Sequence, residues 1–359
     1  MSRTRFGGRA KVPAWPIALS AVVVLLMVGG SSSASSVTPR SSTPHFVWTQ
    51  ISHQTNVTNN IRAMAWDPEA GHEIGLVANS SSGLGTYELD GSTWVNLHIW
   101  TPQTYTQRRG GPGPYGCEGA PALIYDASDR YLLLLAPTSL CSPVQLWKFQ
   151  AEHWSYQPAR DPPPTSDGDA SPGLVYDASD GYVILYSGDF GRCDCYVNEM
   201  VGYHAGAWHR LANIPLEMEF PGGGSSIEPL LVYDPGLGKI VDFGNFGGGG
   251  GALQDWTYHT GKWEPLHITN RLYPASFVDL AYDPAIPGLL VTGITSGYFT
   301  WLWKDGATGF VNITSRIVNP DVGCLGPVYD PGLSALVCLS TQTTSYNAPW
   351  ALWEFTETS

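Results

Sequence analysis

The chain has little charge. Asp, Glu, Lys and Arg make up 14% of its 359 residues, against roughly 25% in an average soluble domain. Basic residues are the scarcer kind: 18 Lys and Arg stand against 31 Asp and Glu, for a net charge of −13. A chain this acidic repels phosphate backbones, which excludes nucleic acid as a partner. Long apolar runs are also missing. The stretch from Pro16 to Val28 is about 13 residues, short of the ~20 a spanning helix needs. Catalytic signatures are absent as well. There is no HExxH and no G-x-S-x-G elbow, and the glycines 247–251 precede no Lys-Ser or Lys-Thr pair. The zinc peptidase, serine hydrolase and phosphate-loop classes are therefore set aside.

What the chain does have is turn formers and rings. Gly 41 and Pro 28 punctuate it, and Trp 14, Tyr 18 and Phe 11 supply packing mass. That combination favours strands joined by turns. Residues 1–34 read as a signal peptide or signal anchor: Arg3, Arg5, Arg9 and Lys11 precede the apolar run, and Ser32-Ser33-Ala34 offers a small-residue cleavage site. The positive flank stays in the cytoplasm, so the rest of the chain is expected outside the cell, secreted or held at the outer face of the cytoplasmic membrane. Contact with the membrane is then expected only through this segment, if it is kept. Residues 35–44 form a Ser/Thr/Pro linker. Sequons at Asn56, Asn79 and Asn312 fit an exported glycoprotein.

A repeat organises the remainder. An apolar stretch ending in aromatic-Asp closes at Asp67, Asp126, Asp177, Asp234, Asp283 and Asp330, in steps of 59, 51, 57, 49 and 47 residues. Each Asp opens a short turn, and an apolar run follows, which predicts a hairpin of strands a and b. Two further strands, c and d, are marked by rings seven apart, as at Trp147 and Trp154 or Trp303 and Phe310. The sixth unit lacks a strand d after Trp353. Phe46-Val47-Trp48-Thr49-Gln50-Ile51, near the other end, has no partners of its own and carries the aromatic-x-x-aliphatic spacing of strand d. Residues 45–51 are expected to complete the last unit and close a ring.

Asp255-Trp256-Thr257-Tyr258 followed by Trp263-Glu264-Pro265-Leu266 resembles the late half of a kelch repeat, and Phe243-Gly244 with the glycines 247–251 resembles the glycine-rich end of its second strand. The likeness is clearest over residues 234–266. Together with the six units it predicts one all-β domain over 45–359, a six-bladed β-propeller of four-stranded antiparallel blades closed by an N-terminal strand.

In such blades the ab and cd turns share one face, and the da and bc connections, expected to be the long ones, share the other. A binding site is expected on the long-loop face. Its acids and rings give the candidate ligand residues Tyr115, Glu118, Phe190, Glu217, Glu219, Phe220 and Glu228. Rings stack on pyranose faces, and carboxylates accept sugar hydroxyls or ligate Ca²⁺. The six cysteines also fall on that side. Symmetry about the hairpin turns pairs Cys117 with Cys141 and Cys324 with Cys338, leaving Cys193 and Cys195 as a strained disulfide or a metal site. No catalytic residue is assigned. The expectation is a monomeric extracellular propeller that binds a glycan or a protein, with Ca²⁺ the one cofactor the acids suggest. The alternatives are a secreted carbohydrate-active hydrolase or lyase using loop carboxylates, and a structural component of the cell envelope.

Overall fold

A computed structural model describes residues 45–52, 55–58, 60–79, 83–101, 121–137, 144–158, 173–186, 199–213, 231–242, 255–268, 276–294, 298–319, 322–341 and 350–358, all within the unit Thr43–Ser359. The signal and linker segments lie outside the described residues. The chain opens with β1 (His45–Ser52) and a one-turn helix, α1 (Thr55–Thr58). Blade one is β2 (Ile61–Asp67), β3 (His72–Asn79), β4 (Gly83–Asp90) and β5 (Thr93–Trp100). Blade two is β6 (Ala122–Asp126), β7 (Tyr131–Pro137), β8 (Val144–Gln150) and β9 (His153–Tyr156). Blade three is β10 (Gly173–Asp177), β11 (Tyr182–Tyr186), β12 (Glu199–His204) and β13 (Ala207–Asn213). Blade four is β14 (Leu231–Asp234), β15 (Lys239–Asp242), β16 (Asp255–His259) and β17 (Lys262–Leu266). Blade five is β18 (Ser276–Asp283), β19 (Gly288–Ile294), β20 (Tyr298–Lys304) and the short β21 (Val311–Asn312). A 3₁₀ turn, Thr314–Arg316, then leads to β22 (Ile317–Val318). The last sheet holds β23 (Leu325–Asp330), β24 (Ala335–Thr341), β25 (Trp350–Thr358) and β1.

Six antiparallel meanders thus form a six-bladed propeller. The first strands, β2, β6, β10, β14, β18 and β23, contact one another in succession round a closed ring. Apolar side chains have nowhere to go but between blades, because each blade is a single layer. Six clusters result, one at each boundary. Leu132, Leu134 and Phe149 meet Ile74, Leu76 and Leu84 between blades two and one. Leu336, Phe355 and Trp48 meet Leu290 and Leu302 between blades six and five.

The ring closes as the sequence predicts. β1 runs antiparallel to β25, from His45 opposite Thr358 to Ser52 opposite Leu352. Phe46 and Trp48 are both 0% exposed, with ring centroids 5.5 and 4.8 Å from Phe355. Ile51 packs on the opposite side, against the cluster shared with blade one. Two features depart from the expectation. The last sheet has five strands, because β22 adds parallel to β1 with Phe46 opposite Ile317. The Asn319 amide donates to the Trp48 carbonyl at 3.0 Å and holds that addition. In blade five, Phe310 precedes its strand. The connection after β20 is longer than a two-residue turn, and Ala307 within it accepts the Trp303 indole N–H at 2.8 Å.

Candidate functional site

The two faces of the ring are built differently, starting from the six aspartates. Each ab turn has four residues between its strands. In each, the Asp Oδ1 accepts the N–H two residues on, at 2.9 Å in Asp67 and Asp283, 3.0 Å in Asp126, 2.9 Å in Asp177, 2.8 Å in Asp234 and 2.7 Å in Asp330. This Asx turn satisfies backbone donors that the hairpin reversal frees. Five turns then place the fourth residue after Asp in the left-handed region: Gly71, Arg130, Gly181, Gly238 and Ser334. The fifth blade has Pro287 there, whose ring forbids positive φ. Its turn closes one residue earlier, with Ile286 N–H donating to the Asp283 carbonyl at 3.2 Å. Burial pushes the carboxyls of Asp126, Asp177 and Asp234 up, and that of Asp283 up to about 6. The aspartates belong to turns, as the one-per-blade repeat implies.

Neighbouring turns are also stitched together. Ser128 bonds the Tyr176 hydroxyl at 2.9 Å and donates to the Gly181 carbonyl at 3.0 Å, both in the next blade. Ser179 repeats this with Tyr233 and Gly238. Asp129 and Asp180 each accept a backbone N–H from the next blade's cd turn, Ala205 and Thr260. In blade one Glu69 takes the serine's place and grips Arg130 through two bonds of 2.9 and 2.7 Å. At the same place blade four has Gly236, where a Cβ would meet the Asp305 carboxylate. Asp305 instead accepts the Tyr282 hydroxyl at 2.9 Å. On this face bonds between turns tie blades one to four in sequence.

The opposite face carries the variable connections, and it is lopsided. The segments entering blades two, three and four are long: 101–121, 157–172 and 214–230. So are the bc segments 187–198 and 243–254. The bc segments of blades one and five have only three residues each, 80–82 and 295–297, so the expectation that every bc connection is long is corrected. A hydrogen-bonded hairpin end needs no more.

The inner strands of blades five, six and one share another trait. Each is irregular at its long-loop end, with register shifts at Ile61/Ala63, Ser276/Val278 and Leu325/Val328. A bulge re-aims side chains and breaks pairing, and bulges gather beside functional sites. In blade one the shift falls at Arg62, half-buried, whose guanidinium pKa is lowered by burial. In blade six it exposes Gly326 at φ +58. The Asp279 carboxylate, buried in blade five, accepts the Gly326 N–H at 2.8 Å. Beside it Thr292 donates to the Cys324 carbonyl at 3.1 Å. These bonds tie blade five to blade six at the long-loop end of their inner strands.

Cys324 and Cys338 are joined by a disulfide with a Cα separation of 5.5 Å, as hairpin symmetry predicts. It straps the entry of β23 to β24 at the same end. The candidate ligand residues Tyr115, Glu118, Phe190, Glu217, Glu219, Phe220 and Glu228 lie outside the described residues, as do Cys117, Cys141, Cys193 and Cys195. Among the described residues no group of three His, Cys, Asp or Glu side chains can hold a metal ion, and no helix is long and apolar enough to cross a membrane. Arg62 and Asp279 were missed in the sequence. Both sit inside strands, and only pairing shifts or a bond across blades single them out.

No protein-family model and no curated protein matches the chain. Solved structures do. The soluble aldose sugar dehydrogenase of Escherichia coli, in its apo form, aligns at TM-score 0.53 and 12% identity over 87% of this chain and 99% of its own. A Bacteroides thetaiotaomicron protein of unknown function aligns at 0.54 and 7% over 88% and 77%. The SapL1 lectin in complex with alpha methyl fucoside aligns at 0.52 and 11% over 84% and 96%. At these identities the likeness establishes one thing, the propeller fold.

Proposed function

We propose that this chain is an exported, kelch-like recognition propeller that binds a neutral glycan or a protein at the long-loop mouth of its ring. The observation that carries this is the contrast between faces. One carries uniform four-residue turns, and the other combines long connections with bulged inner strands. Fixed scaffolds with one variable face are how propellers present ligand-binding residues. The Cys324–Cys338 disulfide supports export, since such bonds persist in oxidising compartments. A lectin in complex with alpha methyl fucoside is among the solved structures of the same fold, which is compatible with this reading.

The test is a glycan-array screen of the mature chain, with and without Ca²⁺, run beside an Arg62→Ala variant. Binding by the parent that weakens about tenfold or more in the variant supports the reading, a loss of about 1.4 kcal/mol. No glycan bound in either condition, with no protein captured from the surface of the source cell, would sink it.

A further inference from the structure

Glu73 is out of place. Counted six residues from the turn Asp, the other blades carry Leu132, Val183, Ile240, Leu289 and Leu336, each 0% exposed. Blade one carries Glu73, also 0% exposed, and neither carboxyl oxygen has a hydrogen-bond partner. Its register partner differs too: Trp66 stands where the other five blades have Tyr. Trp66 points toward blade six, where its ring lies against Gly332, so Glu73 faces the same way. That boundary is the one where the last blade meets the first.

Among the described residues, the charged group that acts on this carboxyl is an acid, and the cluster at this boundary is apolar. From blade six, Asp330 of β23 acts on it, Val337 and Leu339 of β24 belong to the cluster at this boundary, and Glu354 of β25 stands opposite Val337 in register. On its own blade β2 contributes Trp66, and Leu89 and Trp94 belong to the same cluster. His72, next in sequence, points to the other side of the sheet. No basic side chain among the described residues compensates Glu73. An ionised carboxylate here would be unsolvated and repelled by Asp330, while a neutral acid leaves only an unmet polar group.

We propose that the closing seam between blades six and one is a proton-operated latch: shut while Glu73 is neutral, loosened when it ionises. Burial and the nearby Asp330 raise the Glu73 pKa well above the usual range, and burial with Asp330 also raises that of Glu354. For an acid raised in the folded state, stability is full below the unfolded pKa of ~4.3 and falls as pH rises toward the folded value. The latch therefore favours acidic surroundings. Across the seam it bears on β25, and so on β1, which pairs with β25 and carries the N-terminal segment.

Urea unfolding of the full chain, followed from about pH 4 to pH 8, tests this in three forms: parent, Glu73→Leu and Glu73→Gln. The parent's folded-to-unfolded ratio should fall, relative to either variant, by up to about tenfold per pH unit above the ordinary Glu range. Parallel profiles for the parent and both variants would overturn the latch. Glu73→Gln keeps the shape without the charge, so it answers the question even if Glu73→Leu folds poorly. Hydrogen exchange locates the effect. In the parent, β1 and β25 amides should exchange faster as pH rises, after correction for intrinsic rates, and less so in Glu73→Gln. An equal rise in β10–β13 would show global loosening and overturn a seam device.

Discussion

The hydroxyl of Ser128 lies 2.9 Å from that of Tyr176, in the next blade, and 51 residues further on Ser179 and Tyr233 repeat the pair at the same distance. Each serine also donates to a glycine carbonyl of that neighbour. The stitching between these turns is thus a set of equivalent bonds, and each can be removed separately.

Ser128→Ala and Ser179→Ala should each destabilise the domain by about 1 kcal/mol, the net worth of a bond between partly exposed groups. Chemical denaturation of the single and double variants checks this. An unchanged midpoint in both singles would mean that the stitches are decorative.

Trp48→Ala should cost about 3–5 kcal/mol, as for other buried aromatic truncations. Trp48 is 0% exposed and packs on Phe355. Deleting residues 45–51 should lower the melting temperature further, since β25 then loses one of its two antiparallel partners. Calorimetry on the variant and the deletion gives the comparison.

Ser334 holds φ at +54, where Gly71, Gly181 and Gly238 stand in other blades. Ser334→Gly should stabilise by about 0.5–1 kcal/mol, after the extra freedom glycine has in the unfolded chain. The same change at Pro287 should not, because that turn closes one residue earlier.

Asp283 offers a check on pH. Its pKa stands at about 6 against an ordinary 3.8, mainly through burial. Between those values the folded chain keeps a proton that the unfolded chain has released, so stability falls as pH rises through the window. Asp283→Asn keeps an acceptor for the Ala285 N–H and cannot ionise. Relative to it, the parent should lose on the order of 2 kcal/mol between pH 4 and 7. Equal losses in both would assign the pH dependence to other groups.

Much of the fold was legible because its signals are local or repeated. An Asp that caps its own turn writes the hairpin into five residues, and six copies count the blades. β1 was legible because Trp48 and Ile51 carry a spacing found in strand d elsewhere. β22 was not, since Ile317-Val318 is two residues whose only cause is the edge that β1 offers. Arg62 was hidden for a related reason: a bulge exists only once a strand is paired. Glu73 was readable in principle. Aligning the chain on its turn aspartates puts a carboxylate in a column of Leu, Val and Ile, but within His72-Glu73-Ile74 it reads as the polar edge of a strand.

The composite last blade bears on how the chain comes to be folded. Its strand β1 is among the first residues of the domain to emerge, and β23, β24 and β25 are the last. β1 must wait, with Phe46 and Trp48 uncovered, until residues 350–358 appear more than three hundred residues later. Blades one to five complete their sheets in order as the chain lengthens. The ring itself forms in a single late event, so the maturation of this protein is timed by its final strand.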